Sequence, residues 1–207
     1  MNKLGGIWLE PHYHILGFED HAGFSELWLG PKYTFYRCED TGTVAAAGLT
    51  FQIPAGSGRV YQDTGSLTLN PYASVAQTFG RSSYGSFNFM NTTGLAVATD
   101  DKRTDYFYSS FHLDYNVLGM NKIYPLIEAN WTHITEAGSA LPLGFEGRDL
   151  INFGSTAVSG RDYLSLALGA RYKFNECVQT GLAVGTPIVA PRDLYGYRVV
   201  FDMIFRY

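Results

Sequence analysis

Three side chains that could form a catalytic triad stand at alternate positions of one segment. Ser110, His112 and Asp114 supply a hydroxyl nucleophile, a general base and an acid that could orient the base. Alternate positions share one face of a β-strand, but neighbours on that face stand roughly 6.5 to 7 Å apart. Triad hydrogen bonds need about 2.6 to 3.2 Å. We therefore predict ordinary polar groups on one strand face, and a protein that is not an enzyme.

Two histidines near the start of the chain raise the question of a metal site. His12 and His14 are also at alternate positions and could hold a metal ion from one strand face. A zinc site needs three or four ligands, and no third ligand follows at a suitable spacing. No glycine-rich phosphate-binding loop occurs either. We predict neither metal nor cofactor.

The composition excludes several classes of protein. Charged residues make up 16% of the chain, against roughly 25% in ordinary soluble domains. Aromatic residues reach 15%, yet mean hydropathy is only -0.06. The chain has no apolar run of the roughly 20 residues that a membrane-spanning helix needs. A net charge of -4 gives no sign of the basic patch that a nucleic-acid partner requires.

Apolar and polar residues alternate with a period of two along most of the chain. In the segment 195–207, aromatic and aliphatic residues fall on one face, and Arg198, Asp202 and Arg206 fall on the other. Such a pattern indicates a strand between an apolar and a polar medium. Comparable alternation occurs in nine other segments: 6–16, 25–37, 43–53, 66–79, 84–97, 105–117, 122–134, 163–174 and 177–188.

The length of these segments favours a membrane protein. Strands of soluble proteins usually run about 5 to 6 residues, whereas a tilted membrane-spanning strand needs roughly 9 to 11. Most of the ten segments reach that length. We predict a single all-β domain over 1–207, a transmembrane antiparallel up-and-down β-barrel of about ten strands. Twelve strands would follow if N-terminal strands are missing.

The connections between the predicted strands alternate in length. Short ones lie at 38–42, 80–83, 118–122 and 175–176, and longer ones fall between them. Outer-membrane barrels have short periplasmic turns and longer extracellular loops. With the C-terminus in the periplasm, every longer connection lies outside the cell, including a long extracellular loop at 135–162.

The predicted inner faces carry ionisable side chains of both signs. They could pair across a narrow barrel and fill it, or they could line a water-filled path and select solutes by charge. The sequence leaves both alternatives open. The lumen-lining candidates are Glu10, His12, His14, Glu26, Lys32, His112, Asp114, Glu128, Arg171, Lys173, Arg198, Asp202 and Arg206.

Aromatic residues gather at the turn end of the predicted outer faces. Aromatic side chains favour strands in general, but a common level is typical of the girdle where an apolar band meets lipid head groups. We predict a periplasmic girdle of Tyr33, Phe35, Tyr115, Tyr172, Phe174, Phe205 and Tyr207.

The final segment resembles the C-terminal assembly signal of bacterial outer-membrane β-barrels. That signal is a terminal aromatic residue preceded by hydrophobic residues at every second position. The resemblance implies the bacterial outer membrane as location, its lipid as surroundings and the barrel-assembly machinery as a partner. The matching residues are Val199, Phe201, Met203, Phe205 and Tyr207.

A second stretch is similar to the phenol-degradation meta-pathway family of outer-membrane transporters. "LGPKY" (29–33) resembles the family's Leu-Gly-x-Lys-Tyr strand, with Ser25-Glu26 in place of the usual Gly-Asp. "IPAGS" (53–57) resembles the Leu-Pro-Thr-Gly end of the following strand, with Ala55 in place of Thr. The resemblance implies passage of small solutes, hydrophobic ones included, and brings no catalytic motif.

Three other functions fit parts of the sequence. A structural or adhesive barrel would have a filled lumen and present the loop 135–162. A lipid-modifying enzyme would need an outward histidine near the rim, for which His21 and His133 qualify. A soluble lipocalin-like barrel would turn its apolar faces inward. Residues 1–14 do not form a signal peptide, so an exported protein would have a leader before Met1. The redox state of Cys38 and Cys177 stays open.

Overall fold

The structure, a computed structural model, is all-β throughout the part of the chain that it describes. No helix there is long and apolar enough to cross a membrane. Before residue 24, only the backbone is described. The described residues are 12–16, 19–23, 27–56, 66–139, 158–189 and 196–205.

Two antiparallel sheets contain all the described strands. β1 (His12–Leu16) and β2 (Glu19–Gly23) form a separate hairpin. The large sheet holds β3 Leu27–Leu29, β4 Lys32–Cys38, β5 Thr43–Ile53, β6 Thr68–Ser82, β7 Gly85–Ala98, β8 Asp105–Val117, β9 Ile123–Glu136, β10 Asp162–Lys173, β11 Val178–Val189 and β12 Arg198–Phe205. From β5 to β12, each strand pairs with the next one along the chain, while β3 and β4 both pair with β5.

Nine of the ten predicted segments are strands of the large sheet, so the all-β antiparallel fold of about ten strands is confirmed. The segment 25–37 is interrupted at Gly30 and Pro31, where β3 ends and β4 begins. A Cβ at Gly30 would lie 1.8 Å from the carbonyl oxygen of Leu49, so the backbones approach too closely for any other residue. Proline has no N–H to donate to the sheet, and Pro31 instead accepts a hydrogen bond from Leu49 N–H at 3.1 Å.

The first predicted segment differs from the structure. Within 6–16 the described part is β1, and it pairs with β2 and not with the large sheet. The segment 17–24 separates the first two predicted strands and is therefore expected to be a loop. This expectation is wrong for Glu19–Gly23, because these residues form β2, which pairs with β1 in continuous register. In the described residues β12 pairs only with β11, so the sheet is not closed there and the pairing of last strand with first is not seen.

The large sheet is strongly curled. Side chains from β6 and from β11 line the same cavity of about 310 Å³. These strands are five positions apart in the sheet, which would be about 24 Å in a flat sheet with strands about 4.8 Å apart. The sheet must therefore curve around the cavity. We call the face that lines it the inner face; it carries the even-numbered residues of β5 to β9 and β12 and the odd-numbered residues of β10 and β11.

Burial in this sheet is the reverse of that in a soluble domain. At inner-face positions of the described strands, six polar or charged residues are buried against four hydrophobic ones. The polar ones are Gln52, Thr68, Asn70, His112, Asp114 and Asn116, and the hydrophobic ones are Ala46, Ala96, Leu126 and Ile134. Large apolar side chains of the outer face are exposed instead, Leu168 and Phe201 each to 66%. Contiguous apolar exposure of this kind marks a surface that contacts lipid or another protein.

Candidate functional site

The inner face holds one histidine between two carboxylates. His112 Nε2 lies 3.0 Å from Asp114 Oδ2, and His112 Nδ1 lies 2.7 Å from Glu128 Oε1. Glu128 reaches the ring because β9 places it directly opposite His112 of β8. Both contacts are hydrogen bonds only when each ring nitrogen carries a hydrogen. We call His112, Asp114 and Glu128 the carboxylate–histidine trio.

Two polar residues of neighbouring strands extend the trio. Asn88 Nδ2 donates to the second carboxylate oxygen of Asp114 at 2.7 Å. Thr78 donates its hydroxyl hydrogen to Asn88 Oδ1 at 2.8 Å. The resulting chain of side chains crosses four strands, from β6 to β9. It satisfies both oxygens of Asp114, whose side chain is only 11% exposed.

The geometry decides the question of a triad at Ser110, His112 and Asp114. The expectation that alternate side chains do not touch is wrong for His112 and Asp114, because the two side chains lean towards each other. Both ring nitrogens of His112 face carboxylates, however, so neither is free to take a proton from Ser110. The trio is a structural and electrostatic unit and not a hydroxyl-activating site.

A second ion pair joins two strands that are not neighbours in the sheet, because the strand between them has a glycine at that position. Arg171 of β10, Gly181 of β11 and Asp202 of β12 are aligned in register. Arg171 Nη2 donates to Asp202 Oδ2 at 3.4 Å. A Cβ at Gly181 would lie 2.8 Å from Asp202 Oδ1 and 3.1 Å from Arg171 Cγ. The glycine therefore provides the space in which the two charged groups meet.

Near the loop end of the sheet, two tyrosine side chains lie over glycines of the neighbouring strand in the same way. The ring of Tyr72 covers Gly48, where a Cβ would lie 2.5 Å from the ring. The hydroxyl of Tyr108 covers Gly94, where a Cβ would lie 2.6 Å from the oxygen. Glycines on the inner face thus leave room for the side chains of neighbouring strands. These tyrosines were not among the predicted lumen residues, although their even positions in β6 and β8 could have indicated it.

Charged side chains line two cavities on the inner face. The first cavity measures about 310 Å³ and has Asp114, Arg171 and Lys173 in its wall. The second cavity measures about 300 Å³ and has Glu128, Arg171, Arg198 and Asp202 in its wall. Arg171 borders both cavities. The structure thus places six predicted lumen residues in the walls of these two cavities.

The remaining predicted lumen residues fall at the edges of the described structure. Lys32 is exposed on β4, opposite Gly48. His12 and His14 lie on β1, away from the large sheet, and their side chains are not described. Glu10, Glu26 and Arg206 lie outside the described residues, as does Tyr207 of the predicted assembly signal.

The outer face carries one histidine–carboxylate contact close to the loop end. Asp162 Oδ1 accepts from Trp131 Nε1 at 2.9 Å and lies 3.0 Å from His133 Nδ1. An acid that orients a histidine is part of a hydrolytic site. The His133 and Asp162 side chains are 38% and 48% exposed.

Neither a metal centre nor a known relative identifies the site. In the described part of the chain, no group of three or more histidine, cysteine, aspartate or glutamate side chains could hold a metal ion. The chain matches no protein-family model, no curated protein and no solved structure. The similarity of residues 25–57 to the meta-pathway transporters therefore stays a prediction.

Proposed function

We propose that the protein is a β-barrel channel of the bacterial outer membrane that lets small solutes, hydrophobic ones included, pass by diffusion. The observation that carries this proposal is the reversed burial of the sheet, with apolar side chains exposed outside and polar side chains buried inside. Membrane barrels have this arrangement, because their outer face contacts lipid and their lumen contacts water.

The outer face supports contact with lipid over the length of the strands. From Leu164 to Tyr172 its β10 positions hold only leucine, alanine and tyrosine, and from Val199 to Phe205 its β12 positions hold only valine, phenylalanine and methionine. A charged side chain at the bilayer midplane costs about 2 to 4 kcal/mol. Uncharged positions across the full strand are therefore what a lipid-facing surface requires.

Aromatic side chains mark both ends of this apolar band. At the turn end, Phe87 packs between Phe79 and Tyr115, with ring centroids 5.6 and 4.8 Å away. At the loop end, Phe107 contacts Trp131 at 5.4 Å. Phe107 and Tyr115 are eight residues apart on β8, about 27 Å along the strand and about 21 Å along an axis tilted by about 40°. This height agrees with an apolar band of about 25 Å.

The inner face supports a polar path. Its two cavities of about 310 and 300 Å³ have charged side chains in their walls, together with apolar ones such as Met90 and Leu126. Ten strands leave a narrow lumen, because a barrel of about eight is filled by its own side chains. The edges that closure of the proposed barrel would join are β12 on one side and β3 with β4 on the other.

A structural or adhesive barrel with a filled lumen is the second candidate. The observations that favour it are the ion pair Arg171–Asp202 and the tyrosines Tyr72 and Tyr108, which occupy part of the inner space. A soluble lipocalin-like barrel agrees less well, since its apolar side chains would point inward, whereas Leu168 and Phe201 are exposed here.

Two measurements test the proposal. Folded protein in detergent should migrate differently on a gel before and after boiling, as folded membrane barrels do. Equal mobility together with solubility in the absence of detergent would refute the membrane location. In a planar bilayer the purified protein should give discrete conductance steps. A protein that folds into lipid vesicles but conducts no ions would support the filled barrel.

A further inference from the structure

We propose that the first inner cavity binds the oxyanion group of small solutes, a carboxylate or a phosphate, between Arg171 and Lys173. This inference rests on the proposed channel function and names the class of solute that the channel would select. It follows from the balance of charge in the cavity, from the hydrogen-bond donors that Arg171 still has, and from the size of the space.

The side chains that line the cavity carry a net positive charge. Arg171 and Lys173 contribute two cations, and Asp114 is the one acidic side chain among the described residues of the wall. Asp114 already binds Asn88 through one oxygen at 2.7 Å and His112 through the other at 3.0 Å. Outside the wall, Asp202 contacts Arg171 at 3.4 Å and Glu176 contacts Lys173 at 2.7 Å. An anion entering the cavity therefore meets two cations, each of which already has one carboxylate contact that the anion must share or replace.

Arg171 retains donors that its own ion pair does not use. A guanidinium group has five N–H donors, and the contact with Asp202 employs Nη2 at the long distance of 3.4 Å. Arg171 Nε is buried and has no hydrogen-bond partner among the described residues. A buried donor without a partner is costly, and a carboxylate or phosphate oxygen would satisfy it.

The ion pair of Lys173 with Glu176 is one that a bound anion can replace. Its Nζ lies 2.7 Å from Glu176 Oε2, but the Glu176 side chain is 89% exposed on the turn after β10. Exposed ion pairs contribute little to stability. The lysine side chain itself is only 17% exposed and belongs to the cavity wall. We therefore expect its ammonium group to turn from Glu176 to an anion that binds in the cavity.

The spacing and the volume fit a small organic anion. Arg171 and Lys173 occupy alternate positions of β10, about 7 Å apart on one face. One carboxylate or phosphate can reach both through charge-assisted hydrogen bonds of about 2.8 Å. Met90 and Ala76 form an apolar part of the wall. The volume of about 310 Å³ is at the lower end of the range for ligand pockets, so the solute has a short apolar portion.

The second cavity provides the matched control. Its wall holds Arg171 and Arg198, but also Glu128 and Asp202, so cations and carboxylates are equal in number. Arg198 borders this second cavity and not the first one. Arg198→Gln removes the same charge as Arg171→Gln without touching the proposed site.

The test measures binding and conduction on the same folded protein. Binding of inorganic phosphate and of butyrate to the detergent-folded protein is followed by titration calorimetry. We expect the wild-type protein to bind at least one probe, and the one that binds identifies phosphate or carboxylate as the source of the oxyanion. Arg171→Gln and Lys173→Gln should each weaken binding about tenfold or more, because each removes a charge-assisted hydrogen bond. Arg198→Gln should change binding less than about twofold.

Several results would overturn the inference, and they differ from failure of the channel. The oxyanion site is refuted if neither probe binds the wild-type protein, or if Arg198→Gln weakens binding as much as Lys173→Gln. Conductance without anion binding keeps the channel and refutes the site. Binding without conductance keeps the site and refutes the channel. If Arg171→Gln does not fold, Lys173→Gln still decides, since its exposed partner Glu176 makes misfolding unexpected.

Discussion

Replacement of His112 by alanine tests whether the carboxylate–histidine trio stabilises the sheet. The His112 side chain is 10% exposed, and its carboxylate partners Asp114 and Glu128 are 11% and 30% exposed. The substitution removes two charge-assisted hydrogen bonds, each of about 1.5 to 3 kcal/mol. It also leaves two carboxylates about 7 Å apart, which repel by about 2 kcal/mol at an effective dielectric constant of about 20.

Part of this cost is relieved, because Glu128 can turn towards the cavity. We therefore expect His112→Ala to lower the free energy of unfolding by about 3 kcal/mol, at the upper end of the usual range for single substitutions. The measurement is reversible denaturant unfolding of the detergent-folded protein near neutral pH, followed by circular dichroism.

A second substitution, Glu128→Gln, makes the prediction specific to charge. In the wild-type background it weakens the contact with His112 and should destabilise by about 1 to 2 kcal/mol. In the His112→Ala background it removes one of two repelling carboxylates and should stabilise by about 1 to 2 kcal/mol. The change of sign is the diagnostic result, and Glu136→Gln, at the exposed end of the same strand, should have little effect in either background. Equal destabilisation by Glu128→Gln in both backgrounds would refute the reasoning.

Two further predictions compare matched substitutions. Gly169→Ala should destabilise the protein by about 1 to 3 kcal/mol, because the new Cβ would lie 2.4 Å from the backbone oxygen of Leu182. In the control Gly185→Ala the new Cβ meets nothing closer than 3.2 Å, so this substitution should cost less. Equal denaturation midpoints of the two variants would contradict the prediction. Leu168→Arg, on the outer face, should make the free energy of folding into lipid vesicles less favourable by about 2 to 4 kcal/mol. Tyr84→Arg, at an exposed turn, should leave it unchanged. Vesicle folding unaffected by Leu168→Arg would exclude a lipid-facing β10.

The alternation of side chains predicted the strands of the large sheet because each strand has two different surroundings. In the segment 105–117 the predicted and observed bounds agree, and His112 and Asp114 face the inner side as expected. Short turns were predictable for the same reason, since the pattern stops where a strand leaves both surroundings. The separate hairpin of β1 and β2 was not, because the charged residues of β2 resemble a loop in composition.

The partners of the inner side chains could not be predicted, because they depend on register between strands. Glu128 contacts His112 only because β8 and β9 align these two residues, and no feature within either strand specifies that alignment. The same holds for Arg171 and Asp202, which are separated by a whole strand and meet over Gly181. An inward glycine was a visible signal of space, but not of which side chains would use it.

The distribution of glycine and tyrosine on the inner face bears on the choice between an open and a filled lumen. On β6 and β8 the inner positions near the loop end hold Tyr72 and Tyr108, whose rings lie against the wall over glycines. On β10 and β11 many of the inner positions are glycine or alanine, and the second cavity lies over them. The Arg171–Asp202 pair also lies against the wall, because Gly181 has no side chain to push it inward. In the proposed barrel, large groups lying flat on one side and small groups on the other would leave an off-centre path past Arg171. Glycines beneath the largest side chains favour this open arrangement over a filled lumen, which would not need them.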